Sequence, residues 1–147
     1  MNAVRAAYIH IPFCSHICYY CDFNKVFIEG QPVDEYVDLL VREMQLRAKA
    51  HPISPLETLY IGGGTPSTLT PKQLATLFEG IHRYLPLEQN CEFTMELNPD
   101  DGQIERLEVM KEYGVNRISM GVQSFNDELL KKIGRKHSKK TVLETIG

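Results

Sequence analysis

Cys14, Cys18 and Cys21 stand as Cys-x3-Cys-x2-Cys within eight residues, and no other side chains in this chain are so plainly arranged for chemistry. On one short loop their thiolates can reach a single cubane of four irons and four sulfides, ligating three irons and leaving the fourth open. A structural zinc site would need a fourth Cys or His to close its tetrahedron, and His16 inside the loop is the local candidate. A disulfide with a spare thiol is a third reading, but disulfide frameworks pair cysteines across the chain, whereas Cys91 stands alone.

Further groups with chemical potential follow at intervals. Gly62-Gly63-Gly64-Thr65 removes every Cβ from a turn, so that backbone can approach a ligand closely while Thr65 adds a hydroxyl; a plain tight turn is the other reading. Glu96 closes an apolar run and can accept hydrogen bonds from hydroxyls or an ammonium group, or be a solvated strand-end charge. Gln123 offers donor and acceptor together. Arg135 offers a planar fork suited to a carboxylate, yet it lies among Lys131, Lys132, Lys136, Lys139 and Lys140, a run that could be a solvated helix end. Cys91, Met44, Met95, Met110 and Met120 read as core residues. His10, His51, His82 and His137 have no partner at ligand spacing, and His10 draws notice because it adjoins the cysteine loop.

The elements that must position these groups alternate. Short apolar runs at 6–11, 56–61, 91–97 and 117–122 predict strands, and helical periodicity predicts helices at 33–49, from Pro71 to about Tyr84, and at 103–113. Thr70-Pro71-Lys72-Gln73 supplies an N-cap, a proline at the first helical position and a capping-box glutamine. Gly114 and Gly134 mark helix ends, Asn126 caps a short helix, and another helix begins near Ser138. Strands alternating with helices imply right-handed βαβ units and a parallel sheet, hence an α/β fold. Each polar cluster falls just after a strand, at the carboxyl rim where ligands of such sheets gather. Four βα units do not close a barrel, so the expectation is a partial (β/α) barrel, with residues 1–147 forming the N-terminal part of a larger domain. An unpaired sheet edge would then leave the isolated piece poorly soluble or dependent on a partner.

Composition narrows the partners. With 147 residues, 43% hydrophobic and 24% charged, the chain can bury a core, and its net charge of -3 argues against nucleic acid as the main partner. No run of about 18 apolar residues exists, so no transmembrane segment is expected, and the reading is a cytoplasmic protein.

The cysteine spacing after a first strand, with a glycine turn after the second, resembles the radical S-adenosylmethionine (SAM) superfamily. Tyr8-Ile9-His10-Ile11-Pro12-Phe13-Cys14, Gly62-Gly63-Gly64-Thr65-Pro66-Ser67 and Ser119-Met120-Gly121-Val122-Gln123-Ser124-Phe125 together resemble its oxygen-independent coproporphyrinogen oxidase group, through essentially the whole chain. The resemblance implies a TIM-barrel-like (β/α)6 core and a [4Fe-4S] cluster on Cys14, Cys18 and Cys21. SAM would sit on the open iron, contacted by Tyr8, Tyr20, Gly63, Gly64, Thr65, Glu96, Gln123 and Arg135. In that superfamily an electron from the cluster cleaves SAM to methionine and a 5'-deoxyadenosyl radical. Coproporphyrinogen dehydrogenases of the group carry a further cysteine two positions after the third, where this chain has Phe23. The string Cys21-Asp22-Phe23-Asn24-Lys25 resembles instead the haem-chaperone branch. That implies haem as a cargo and a haem-accepting respiratory protein as a partner, with oxidative decarboxylation of porphyrinogen as the competing activity. The parts that would hold haem and complete the barrel are expected beyond Gly147.

Overall fold

The structure is a computed structural model, and it describes residues 3–15, 25–99 and 104–146. In chain order the elements are β1 (Val4–Ile11), β2 (Phe13–Cys14), β3 (Val26–Phe27), α1 (Val33–Ala50), β4 (Ile53–Gly63), a 3-10 turn (Pro66–Thr68) and α2 (Pro71–Tyr84). Then come β5 (Leu87–Leu97), α3 (Ile104–Glu112), β6 (Arg117–Met120), α4 (Asp127–Lys132) and α5 (Lys139–Ile146). The main sheet runs β1-β4-β5-β6 with every neighbouring pair parallel, as the alternation of apolar runs and helices requires.

Strand alternation divides the sheet into two unlike faces. Ile9, Leu59, Ile61, Phe93 and Met95 point to the helices and are buried, joined by Leu74, Leu77, Phe78 and Ile81 of α2 and by Val37 and Met44 of α1. Phe78 meets Phe93 edge-on, with ring centroids 5.8 Å apart. On the opposite face Tyr8, Tyr60, Thr94 and Arg117 stand in one cross-strand row, and one pleat nearer the carboxyl rim come His10 opposite Gly62 and Glu96 opposite Ser119. This polar face lies on the side away from the helices, the side that faces inward in a (β/α) barrel.

Local signals explain the helix boundaries. Thr70 and Gln73 form a reciprocal capping box, each side chain bonding the other's backbone N–H. Gly114, at φ +99, ends α3: Gly114 N donates to Lys111 O and Val115 N to Met110 O. The same pair of bonds recurs at Gly134, where Arg135 N reaches back to Leu130 O at 2.8 Å. Asn126 Oδ1 accepts from the amides of Glu128 and Leu129, capping α4.

Three expectations need correction. The last strand ends at Met120, because Val122 N turns back to Met120 O (3.0 Å), Ser124 N to Val122 O (2.8 Å), and Gln123 takes φ +66. β5 starts at Leu87 instead of residue 91, since the exposed residues Glu88, Gln89 and Asn90 continue a strand whose first rung pairs Leu56 with Leu87. Met120 is only half-buried on edge strand β6, whereas Met44, Met95 and Met110 are core. Among the described residues no helix is long and apolar enough to cross a membrane.

Candidate functional site

The site is assembled at the carboxyl ends of β1, β4, β5 and β6. Cys14 ends β2, which pairs with β3 through Val26 N to Pro12 O (2.7 Å) and Ile28 N to Cys14 O (2.9 Å). The glycine turn after β4 lies directly on this loop: Gly64 N donates to Ile11 O and Thr65 N to Phe13 O, both at 2.8 Å. A Cβ on Gly64 would stand 2.8 Å from Phe13 O and from the Pro12 carbonyl carbon, so the close approach that glycine permits here is to the cysteine loop itself. The neighbouring Gly63 has φ +123, open to glycine and costly to other residues. Thr65 Oγ1 donates to Cys14 Sγ at 3.5 Å. Cys18, Cys21 and Tyr20 lie outside the described residues.

On the interior face Tyr60 donates to Glu96 Oε1 at 2.7 Å and stacks on Tyr8, ring centroids 5.9 Å apart and planes 20° apart. Gly62 leaves the space for this bond, since a Cβ there would sit 2.8 Å from Tyr60 Cε1 and 2.9 Å from Glu96 Oε1. Partial burial, then the bond to Glu96 and its charge, push the Tyr60 phenol above its ordinary value, while Ser119 pulls the other way. Burial and then the Glu96 charge raise Tyr8 likewise. Tyr8 Oη and His10 Nδ1 are 3.1 Å apart, and Tyr36 of α1 donates to His10 O at 2.6 Å.

The third group surrounds Arg135. Its Nη2 donates to Asn98 Oδ1 (2.9 Å) and to Gly121 O, and its Nε to His137 Nδ1 (3.3 Å). With Nδ1 accepting, the His137 proton sits on Nε2 and is donated to Val122 O at 2.9 Å. Asn98 N in turn donates to the buried Ser67 Oγ at 3.1 Å, tying the end of β5 to the turn after β4. A Cβ on Gly121 would be 3.3 Å from Gln123 Nε2 and 3.7 Å from Arg135 Nη2, which places amide and guanidinium together over that residue. The basic run therefore divides: Lys131 and Lys132 are the exposed last turn of α4, while Arg135 turns inward.

Of the sequence-derived candidates, Cys14, Gly63, Gly64 and Thr65 form one contiguous seat, Tyr8 and Glu96 share a row system through Tyr60, and Gln123 and Arg135 form a third cluster. Tyr60, Asn98 and His137 did not figure among the site residues read from sequence. Tyr60 had a signal, because Thr58, Tyr60 and Gly62 alternate with the buried Leu59 and Ile61 and so must face the interior. Cys91 is 5% exposed, and burial, followed by Glu88 and Glu92, raises its thiol, as suits a packed side chain.

A four-stranded parallel arc with helices on one face is an α/β core of the radical SAM class. The chain belongs to the Radical SAM superfamily, whose profile matches residues 8–147. It is 53% identical to "Heme chaperone HemW" of Bacillus subtilis over 144 residues, which is 97% of this chain and 38% of that protein. It is 37% identical to "Anaerobilin synthase" of Escherichia coli O157:H7 over 133 residues, 89% of this chain and 30% of that protein. The solved coproporphyrinogen III oxidase (HemN) of Escherichia coli, described as a radical SAM enzyme, superposes with a TM-score of 0.89 at 30% identity, covering 98% of this chain and 33% of that one. The chain thus spans about a third of the length of the curated relatives it matches, from 38% to 30% in the two given.

Proposed function

We propose that residues 1–147 are the N-terminal part of a radical SAM core that holds a [4Fe-4S] cluster on Cys14, Cys18 and Cys21 and belongs to a protein that binds haem and transfers it to a respiratory enzyme. The observation that carries the cofactor reading is the seating of the glycine turn on the cysteine loop, through Gly64 N to Ile11 O and Thr65 N to Phe13 O, both at 2.8 Å. It brings the backbone of Gly63, Gly64 and Thr65 beside a cysteine sulfur on the rim that also carries Glu96 and Arg135. The donor set suits the cofactor: a carboxylate and a guanidinium complement the ammonium and carboxylate of a methionyl group, and Tyr8 and Gln123 add an aromatic face and an amide. Tyr20 completes the proposed contacts. Bound there, the cluster and SAM supply an electron and a radical source; the residues named hold and orient SAM and exclude water from it.

For the cargo, the support is the likeness to proteins named haem chaperone together with Phe23, which stands where the porphyrinogen-decarboxylating group has a further cysteine. The second reading, oxidative decarboxylation of coproporphyrinogen III, is favoured by the superposition on HemN. The test is anaerobic purification of the full-length protein, with iron and sulfide analysis, SAM binding, and incubation with haem plus an apo-oxidase or with coproporphyrinogen III. Bound haem that moves to the oxidase supports the first reading. A vinyl product from coproporphyrinogen establishes the second in its place, and a protein without iron and sulfide refutes both.

A further inference from the structure

We propose that the Thr65 hydroxyl acts on the cluster, donating to the Cys14 sulfur and raising the cluster's reduction potential. This inference rests on the assignment of Cys14 as a cluster ligand. Thr65 is the N-cap of the 3-10 turn, a position from which a threonine hydroxyl ordinarily accepts from a backbone amide one turn on. It makes no such capping bond; its Oγ1 lies 3.5 Å from Cys14 Sγ, as donor.

The placement is fixed from both sides. Thr65 N is held by Phe13 O at 2.8 Å, and Thr65 O accepts from Thr68 Oγ1 at 2.7 Å and Thr68 N at 3.0 Å. Cys14 is 5% exposed, so water contributes little to solvating its sulfur and a fixed donor counts for more. Adding an electron increases the negative charge shared by the cluster and its thiolates, and a hydrogen bond to a ligand sulfur stabilises that reduced form. The donor thus makes the cluster easier to reduce, while SAM would meet the backbone of this turn.

The experiment uses the full-length protein reconstituted anaerobically without SAM, comparing wild type, Thr65→Val and Thr65→Ser by iron and sulfide content and by redox titration monitored by electron paramagnetic resonance. Valine keeps the branched shape and deletes the donor; serine keeps the donor. The expected result is an unchanged cluster content with a reduction equilibrium about three- to tenfold less favourable in Thr65→Val, roughly 30 to 60 mV lower for a one-electron couple, and near wild type in Thr65→Ser. A loss of cluster in Thr65→Val that Thr65→Ser restores also supports the assignment. A wild-type potential in Thr65→Val, or an equal change in both variants, overturns it. Absence of a cluster from the wild type would instead refute the ligand assignment on which it stands.

Discussion

Gly64→Ala isolates the contact that seats the glycine turn on the cysteine loop. The new Cβ would lie 2.8 Å from Phe13 O and the Pro12 carbonyl carbon, whereas ordinary contact begins at 3.4 Å, so the two segments must separate by about 0.6 Å. Neither obstacle is a flexible side chain. The same movement stretches Gly64 N to Ile11 O and Thr65 N to Phe13 O, now both 2.8 Å. Two backbone hydrogen bonds weakened by about 0.5 kcal/mol each, plus overpacking of about 1–3 kcal/mol, put the local cost at roughly 2–4 kcal/mol. Hydrogen–deuterium exchange of the full-length protein reads it directly: the Gly64 and Thr65 amides should lose protection by about thirtyfold to several hundredfold, at about 1.4 kcal/mol per decade. Gly62→Ala is the control, because its Cβ meets the ends of the Tyr60 and Glu96 side chains, which can move. Protection in that variant should change less than about fivefold, a cost under about 1 kcal/mol. Wild-type exchange in Gly64→Ala, or equal losses in both variants, would refute the reasoning.

Tyr60→Phe keeps the stack on Tyr8 and removes the bond to Glu96, so SAM affinity of the full-length protein should fall about three- to tenfold by equilibrium dialysis, whereas in a Glu96→Ala background the same change should add no further loss. Because the folded Tyr60 phenol lies above its ordinary value of about 10, its stabilising contribution is full below that pH and is lost as pH rises through the folded value; spectrophotometric titration should show one late-ionising phenol fewer in Tyr60→Phe. His137→Phe removes the acceptor for Arg135 Nε and the donor to Val122 O, and should weaken SAM binding about tenfold, whereas His137→Gln, which can serve both partners, should restore part of it. Gly80→Ala drives a Cβ to 2.6 Å from Val41 Cγ2 across the α1–α2 contact, so the urea midpoint should drop by the equivalent of about 1–2 kcal/mol, and Val41→Ala in the same chain should recover most of it.

Much of the scaffold was legible because its signals are local. The capping box at Thr70 and Gln73, the cap at Asn126 and the stops at Gly114 and Gly134 depend on side chains within a few residues of the backbone they satisfy. Strand lengths were less legible. Polar Glu88, Gln89 and Asn90 look like loop in isolation and become strand only because Leu87 finds Leu56, and the apolar Val122 looks like strand until its amide turns back to Met120. At the site, residue types announced Glu96 and Arg135, but what orients them is tertiary. His137 sits at 3% exposure in the midst of a lysine-rich stretch, and only the turn at Gly134 puts it under the Arg135 guanidinium. Asn98 and Ser67 meet across 31 residues, a pairing no spacing rule foretells.

The bond from Thr65 to Cys14 joins residues 51 positions apart, and that separation bears on the timing of synthesis. A ribosome delivers Cys14, Cys18 and Cys21 well before it delivers β4 and the turn that follows. Until then Ile11 O and Phe13 O lack the partners they take in the folded chain, and the sulfur of Cys14 lacks its threonine. On the proposed reading, the seat that Gly64 and Thr65 make for the Cys14 segment exists only once β1 has paired with β4, so a cluster added after that pairing would meet a formed site.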